Sequence, residues 1–244
     1  MPPSEENTEL ALMRAQYEEL AELAGSLAHE IKNPLSVIRM NIDLLAEDLA
    51  EINAADSRRS IHRVDIVRGQ CERMEALLRD FLRYARLRDI DLVSGSLNDQ
   101  IETVLRAYQA QADAKGIDIE RFLDPDLPSI QLHSDSLQAA LMNLVKNALE
   151  AMDSGGQLVA RTYTTRKSAA LDLIDTGHGV DDNTVLHMFE PFYSTKGAGR
   201  GTGLGLSVCE RILTSAGGDI SLDDSDLGGA CFVLTLPAPT TAAR

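Results

Sequence analysis

From Met13 to Ile52 the apolar positions recur at helical spacing: Met13, Tyr17, Leu20, Ala24, Leu27, Ile31, Leu35, Ile38, Ile42, Leu45, Leu49 and Ile52. Steps of four and three alternate, which is a heptad seam. The alternation slips once, between Leu27 and Leu35, and Pro34 lies inside the slip. A local bend or unwinding is expected there. A second seam runs through Val64, Val67, Cys71, Met74, Leu78, Phe81 and Ala85, after the polar connection "NAADS". Two long helices on a short loop make an antiparallel hairpin. One hairpin cannot cover a two-sided seam, so two chains are expected to pair into a four-helix bundle.

The texture changes at "VSGSLND", Val93 to Asp99, and the domain boundary is placed there. Asn98 to Lys115 reads as a helix ended by Gly116, and "IDIERF" alternates as a strand. Ser134 to Met152 reads as an amphipathic helix with a Ser or Asp cap, closed by Gly155 and Gly156. "QLVARTYTT" and "SAALDLID" read as paired strands. Glycine-rich segments follow, then a helix from about Leu204 to Ala216 and two last strands, "DISLDD" and "ACFVLTLP". The expected fold class is α+β: a helical hairpin, then an α/β sandwich with its helices on one face of the sheet. The end, "APTTAAR", has the composition of a disordered tail.

Composition narrows the function. The net charge of −15 argues against a nucleic-acid groove or an anionic membrane surface as partner. Cys71, Cys209 and Cys231 are odd in number and widely spaced, which reads as reduced thiols. No apolar run reaches the ~18 residues that span a bilayer, and the acidic start is no signal peptide. No direct membrane insertion is expected, and the protein is placed in the cytoplasm. A piece of a longer membrane-bound sensor would look the same.

The chemistry begins at "GSLAHEIKNPLSVI". With Leu27 and Ile31 inward, His29 points outward, and Asn33 is one turn further on the same face. Glu30 flanks the histidine. Taken alone, the stretch leaves two readings open. One is a surface histidine on a solvated helix. The other is an exposed imidazole held as a nucleophile with a carboxylate beside it.

The second half holds four motifs. In "NLVKNALEA", Asn143 and Asn147 share a helix face, and an amide oxygen suits a hard cation such as Mg²⁺. "LIDTGHGV" places Asp175 at a strand end, followed by Gly177 and Gly179. That aspartate can accept from an exocyclic amine, and the glycines permit close approach of a ligand. "FEPFYSTKGAGRGTGLGL", Phe189 to Leu206, is a glycine-rich loop running into a helix start. Backbone amides there can cradle phosphate, and Lys196 and Arg200 add positive charge. The spacing is neither a P-loop nor a dinucleotide fingerprint.

In this order, and with "HEIKNP" upstream, the chain resembles the bacterial sensor histidine kinases of two-component systems, from about residue 20 onward. His29, Glu30, Asn33 and Pro34 are similar to the family's H box. Asn143 to Asn147 resembles the N box, and Asp175, Gly177 and Gly179 the G1 box. Phe189 to Phe192 resembles the F box, and Gly201, Gly203 and Gly205 the G2 box. "PFYSTK" and "GTGLGL" are most similar to sensor kinases of the nitrogen-regulation and zinc-response type, which usually address enhancer-binding response regulators.

The resemblance implies a lead-in over residues 1–19 and a dimerisation and histidine-phosphotransfer domain over 20–94. It implies a Bergerat-type ATP-binding domain over 95–237 and a tail over 238–244. ATP and Mg²⁺ are the implied cofactors. Asp175 would accept from the adenine amine. Asn147, and secondarily Asn143, would hold Mg²⁺ on the triphosphate. The loop from about Glu190 to Arg200, with Lys196, would form the lid, and Gly201, Gly203, Leu204 and Gly205 would bind nucleotide. His29 would take the γ-phosphoryl group with Glu30 bonded to its other ring nitrogen, then pass it to a receiver aspartate. Apart from the resemblance, Asn33 is one turn beyond His29 on the outward face, where its amide can orient a water for dephosphorylation of the receiver. The implied partners are a second copy of the chain and a response-regulator receiver domain, with no nucleic acid. Two rivals stand beside this reading: a GHKL ATPase of another class, such as a chaperone or DNA-repair clamp, and a scaffold that binds a receiver without catalysis. His29 on its seam weighs against the first. Intact Asp175, Asn147 and G2 glycines weigh against the second.

Overall fold

A computed structural model describes residues 24, 27, 30–45, 47, 57–86, 92–166, 168–196, 201–225 and 227–238. The chain divides into two compact units. Met1–Ala85 with Lys196–Thr202 form the first, and Arg86–Thr195 with Gly203–Arg244 the second.

In the first unit, α1 is helical over 30–45 and α2 spans Ser57–Arg86. The Arg63 guanidinium donates to the carbonyl of Leu44, and Arg73 pairs with Glu30. Ascending numbers on one helix meet descending numbers on the other, so the hairpin is antiparallel as expected. Leu27, Asn41 and Leu77 are buried. Asn41 is tolerated there because its Nδ2 donates to the carbonyl of Val37 in its own helix, 2.9 Å away. The expected unwinding at Pro34 does not occur, and α1 runs through it unbroken. Several seam positions stay open within one chain: Leu35 is 53% exposed, Ile42 51%, Val64 49% and Leu78 47%.

The second unit is built on a five-stranded sheet in the order β2-β4-β5-β7-β6. The strands are β2 (Ile117–Phe122), β4 (Gly156–Thr164), β5 (Ser168–Asp175), β6 (Asp219–Asp223) and β7 (Cys231–Pro237). β2 runs parallel to β4, and every other neighbouring pair is antiparallel. Helices α3 (Leu97–Lys115), α4 (Ser134–Ala151) and α6 (Gly205–Ser215) pack on the sheet, with α4 between the other two. Leu141, Leu144 and Leu149 of α4, Leu213 of α6 and Leu158 and Leu171 of the sheet are fully buried. Each such leucine contributes about 1.5–3 kcal/mol by leaving water. The sandwich predicted from the sequence is therefore the observed fold.

Local differences have clear causes. "VSGSLND" carries regular structure. Val93–Gly95 forms β1, antiparallel to β3 (Ile130–Leu132), and the Ser96 hydroxyl accepts from the Asp99 N–H to cap α3. At α4 the expected Ser or Asp cap is displaced by His133, whose Nδ1 accepts from the Ser136 N–H at 3.3 Å. A short helix, α5 (Asp182–His187), opens on Asp181 in a region read only as glycine-rich.

Candidate functional site

Asp175 ends β5 and is buried, with 2% of its surface exposed. Its Oδ1 accepts from the Gly177 N–H at 2.8 Å and the Ala230 N–H at 3.2 Å. Both protein donors fall on Oδ1, which leaves Oδ2 to a ligand's donor. Burial pushes the Asp175 carboxyl above its ordinary range, and those two amides, with His178, pull it partly back. Gly179 follows against the carbonyls of Gly228 and Gly229. His178 is exposed, its Nδ1 2.7 Å from the Gly179 carbonyl.

The N-box helix is tied to this turn. Thr176 donates to the Met152 sulfur at 3.5 Å, and Met152 is the C-cap of α4. Lys115 donates to the carbonyls of Leu149 and Met152, at 2.6 and 3.1 Å. It thereby satisfies acceptors that a helix end leaves open and sets positive charge at the negative end of the dipole. Asn143 and Asn147 are half-buried on one face of α4. The Asn143 Nδ2 donates to the Gly205 carbonyl at 3.4 Å, which joins the N box to the start of α6.

That start is anchored by Leu204, fully buried, whose carbonyl accepts from the Val208 N–H at 2.9 Å and the Ser207 hydroxyl at 3.0 Å. The amides of the first turn of α6 have no helical acceptor and form a natural anion seat. Gly203, at φ +69°, lies against Phe192, where a β-carbon would stand 2.3 Å from the Phe192 carbonyl carbon. Phe192 is itself at φ 66°, a conformation uncommon for a bulky residue. The F and G2 boxes are thus locked backbone to backbone. Gly201 is half-buried, Lys196 is exposed, and Arg200 lies outside the described residues.

Asn143 thus meets Gly205 at the start of α6, and the Asp175–Gly177 turn packs against Ala151 at the C-terminal end of α4. Gly229 and Ala230, which support Asp175, went unread in the sequence, as did Thr176 and Lys115. The pair Gly228-Gly229 before the last strand is the signal that could have found the first two. Among the described residues no group of three or more His, Cys, Asp or Glu could hold a metal. A divalent ion would rest on amide oxygens and on its ligand's own oxygens, which suits Mg²⁺.

In the first unit Glu30 is half-buried against Arg73, and Asn33 is exposed one turn before Val37. His29 lies outside the described residues.

Two family models match. One, described as "His Kinase A (phospho-acceptor) domain", covers residues 19–90. The other, "Histidine kinase-, DNA gyrase B-, and HSP90-like ATPase", covers residues 133–240. Sporulation kinase C of Bacillus subtilis is 29% identical over 232 residues, which are 95% of this chain and 52% of that protein. The signal transduction histidine-protein kinase AtoS of Escherichia coli is 30% identical over 229 residues, 91% of this chain and 36% of its own. The chain thus spans about half the length of the first relative and about a third of the second. Histidine kinase ThkA, solved in complex with the response regulator protein TrrA, superposes over 98% of this chain and 67% of its own with a TM-score of 0.77 at 21% identity. Both domain models, in the order phospho-acceptor then ATPase, fall on the two regions whose motifs were read above, and the chain belongs to the two-component sensor histidine kinases.

Proposed function

We propose that the protein is an ATP-dependent protein-histidine kinase that phosphorylates His29 and passes the phosphoryl group to an aspartate of a response-regulator receiver. The observation that carries this is Asp175: a buried carboxylate whose two protein donors, the Gly177 and Ala230 amides, both fall on Oδ1. That is the donor–acceptor pattern an adenine amine needs. Asn147, with Asn143, holds Mg²⁺, which when bound neutralises charge on the phosphates. The α6 amides and Lys196 hold the phosphate chain. A ring nitrogen of His29 forms the new N–P bond, the bond from the γ-phosphorus to the bridging oxygen breaks, and ADP leaves with that electron pair. Glu30, bonded to the other ring nitrogen, accepts the proton that nitrogen carries as the imidazole becomes cationic.

A second copy of the chain completes the bundle. The open seam at Leu35, Ile42, Val64 and Leu78 supports this, because apolar side chains at heptad spacing are covered by a partner helix in such bundles. A receiver of the enhancer-binding type follows from the likeness of "PFYSTK" and "GTGLGL". No described helix is long and apolar enough to cross a membrane, and the reaction is assigned to the cytoplasm.

Incubation with γ-labelled ATP tests the reading. Base-stable, acid-labile label on the wild type and none on His29→Gln, with ATP binding kept, is the expected result. Label on His29→Gln, or ATP turnover without labelled protein, would move the chain to another ATPase class.

A further inference from the structure

Resting on that reading, we infer that Arg73 is a positioning residue for the phosphoryl-transfer step, acting through Glu30. Arg73 is on α2, on the face turned to α1, and its Nη2 lies 3.4 Å from the Glu30 Oε2. Both side chains are largely covered, with 19% of Arg73 and 31% of Glu30 exposed. The Arg73 Nε is buried and meets no acceptor among the described residues. A guanidinium placed this way is a poor source of stability. Among the described residues its ion pair with Glu30 is long and a second buried donor goes unsatisfied, a cost of the same order as a hydrogen bond gained.

The position of the pair gives it a use. Pro34 has no N–H, so the Glu30 backbone carbonyl loses the donor that would stand four residues on. The turn that carries Glu30 is therefore held less firmly by its own helix, and the carboxylate gains an anchor from the other helix instead. Glu30 is the residue next to His29 in the sequence. Arg73 fixes where that carboxylate sits.

The test is a double-mutant cycle on the full chain, reading kcat and KM for ATP in autophosphorylation together with the thermal melt. Arg73→Gln should lower kcat about tenfold and leave the KM for ATP unchanged. Arg73→Lys should recover part of the rate, since an ammonium still pairs with Glu30. In a Glu30→Gln background, Arg73→Gln should slow the reaction no further. Equal slowing in both backgrounds would show that Arg73 acts independently of Glu30 and would overturn the inference. So would a wild-type rate in Arg73→Gln, or a rate loss that only follows a lowered melting temperature. If the wild type itself takes no label at His29, the functional reading fails and this inference with it. A labelled wild type beside an unaffected Arg73→Gln removes the inference alone.

Discussion

Gly229 touches Asp175 so closely that a β-carbon on it would lie 2.1 Å from the Asp175 backbone oxygen and 2.5 Å from its Oδ1. No side chain fits without moving the carboxylate. The contact is to backbone, which cannot swing aside as a flexible side chain would. Gly229→Ala should therefore cost about 1–3 kcal/mol of stability by overpacking. It should also weaken adenine-nucleotide binding well beyond what a control substitution at exposed Gly228 does. Calorimetric titration with ATP beside a thermal melt checks both, and unaltered ATP affinity would refute the role given to this turn.

Asp175→Asn separates binding from stability. The folded carboxyl is pushed above its ordinary value by burial. Stability from its protonated form is present below the unfolded value near 3.8 and is lost as pH rises through the raised folded value. At neutral pH the ionised group is a net burden on the folded apo protein. Asparagine keeps an oxygen for the Gly177 and Ala230 amides without that charge. The apo variant should melt at or above the wild-type temperature at pH 7, while ATP binding weakens by about 1–3 kcal/mol, the scale of a charged hydrogen bond. A lower melt with intact binding would contradict both parts.

Asn147→Ala should abolish the Mg²⁺-dependent reaction across a full Mg²⁺ titration. Asn143→Ala should leave a residual rate that extra Mg²⁺ raises, since Asn143 also serves to hold the Gly205 carbonyl. Wild-type Mg²⁺ dependence in the Asn147 variant would remove it from the site.

The open seam predicts association. Val64→Glu with Leu78→Glu should halve the mass measured by light scattering, because both positions are about half exposed in one chain and sit seven-residue multiples apart on α2. An unchanged mass would place the dimer contact elsewhere.

Asn33 is exposed on α1, one turn beyond the position of His29. An amide can orient a water but does not hold a phosphoryl group stably. Asn33→Ala should keep much of the autophosphorylation of His29 and slow receiver dephosphorylation. The lifetime of receiver phosphate with the purified variant measures this. A wild-type lifetime, or a joint fall in both activities and melting temperature, would show that Asn33 only supports the helix.

Much of this protein follows from its sequence because the signals are local. Heptad spacing defines α1 and α2, since each side chain's face depends only on helical phase. The G1, N and G2 motifs name Asp175, Asn143, Asn147 and Gly203–Gly205, because their residue types carry chemistry wherever they fold. Tertiary structure decided the rest. β2 pairs parallel with β4 across an intervening helix, a choice no local pattern encodes. His133 caps α4 in place of Ser134 because its ring reaches Ser136 as the chain leaves β3. α1 stays helical at Pro34, where local propensity favours a break, and Pro34 is buried. Gly229 and Ala230 join the site from 54 and 55 residues away in the chain, since only the β5–β7 pairing brings their backbone onto the Asp175 carboxylate.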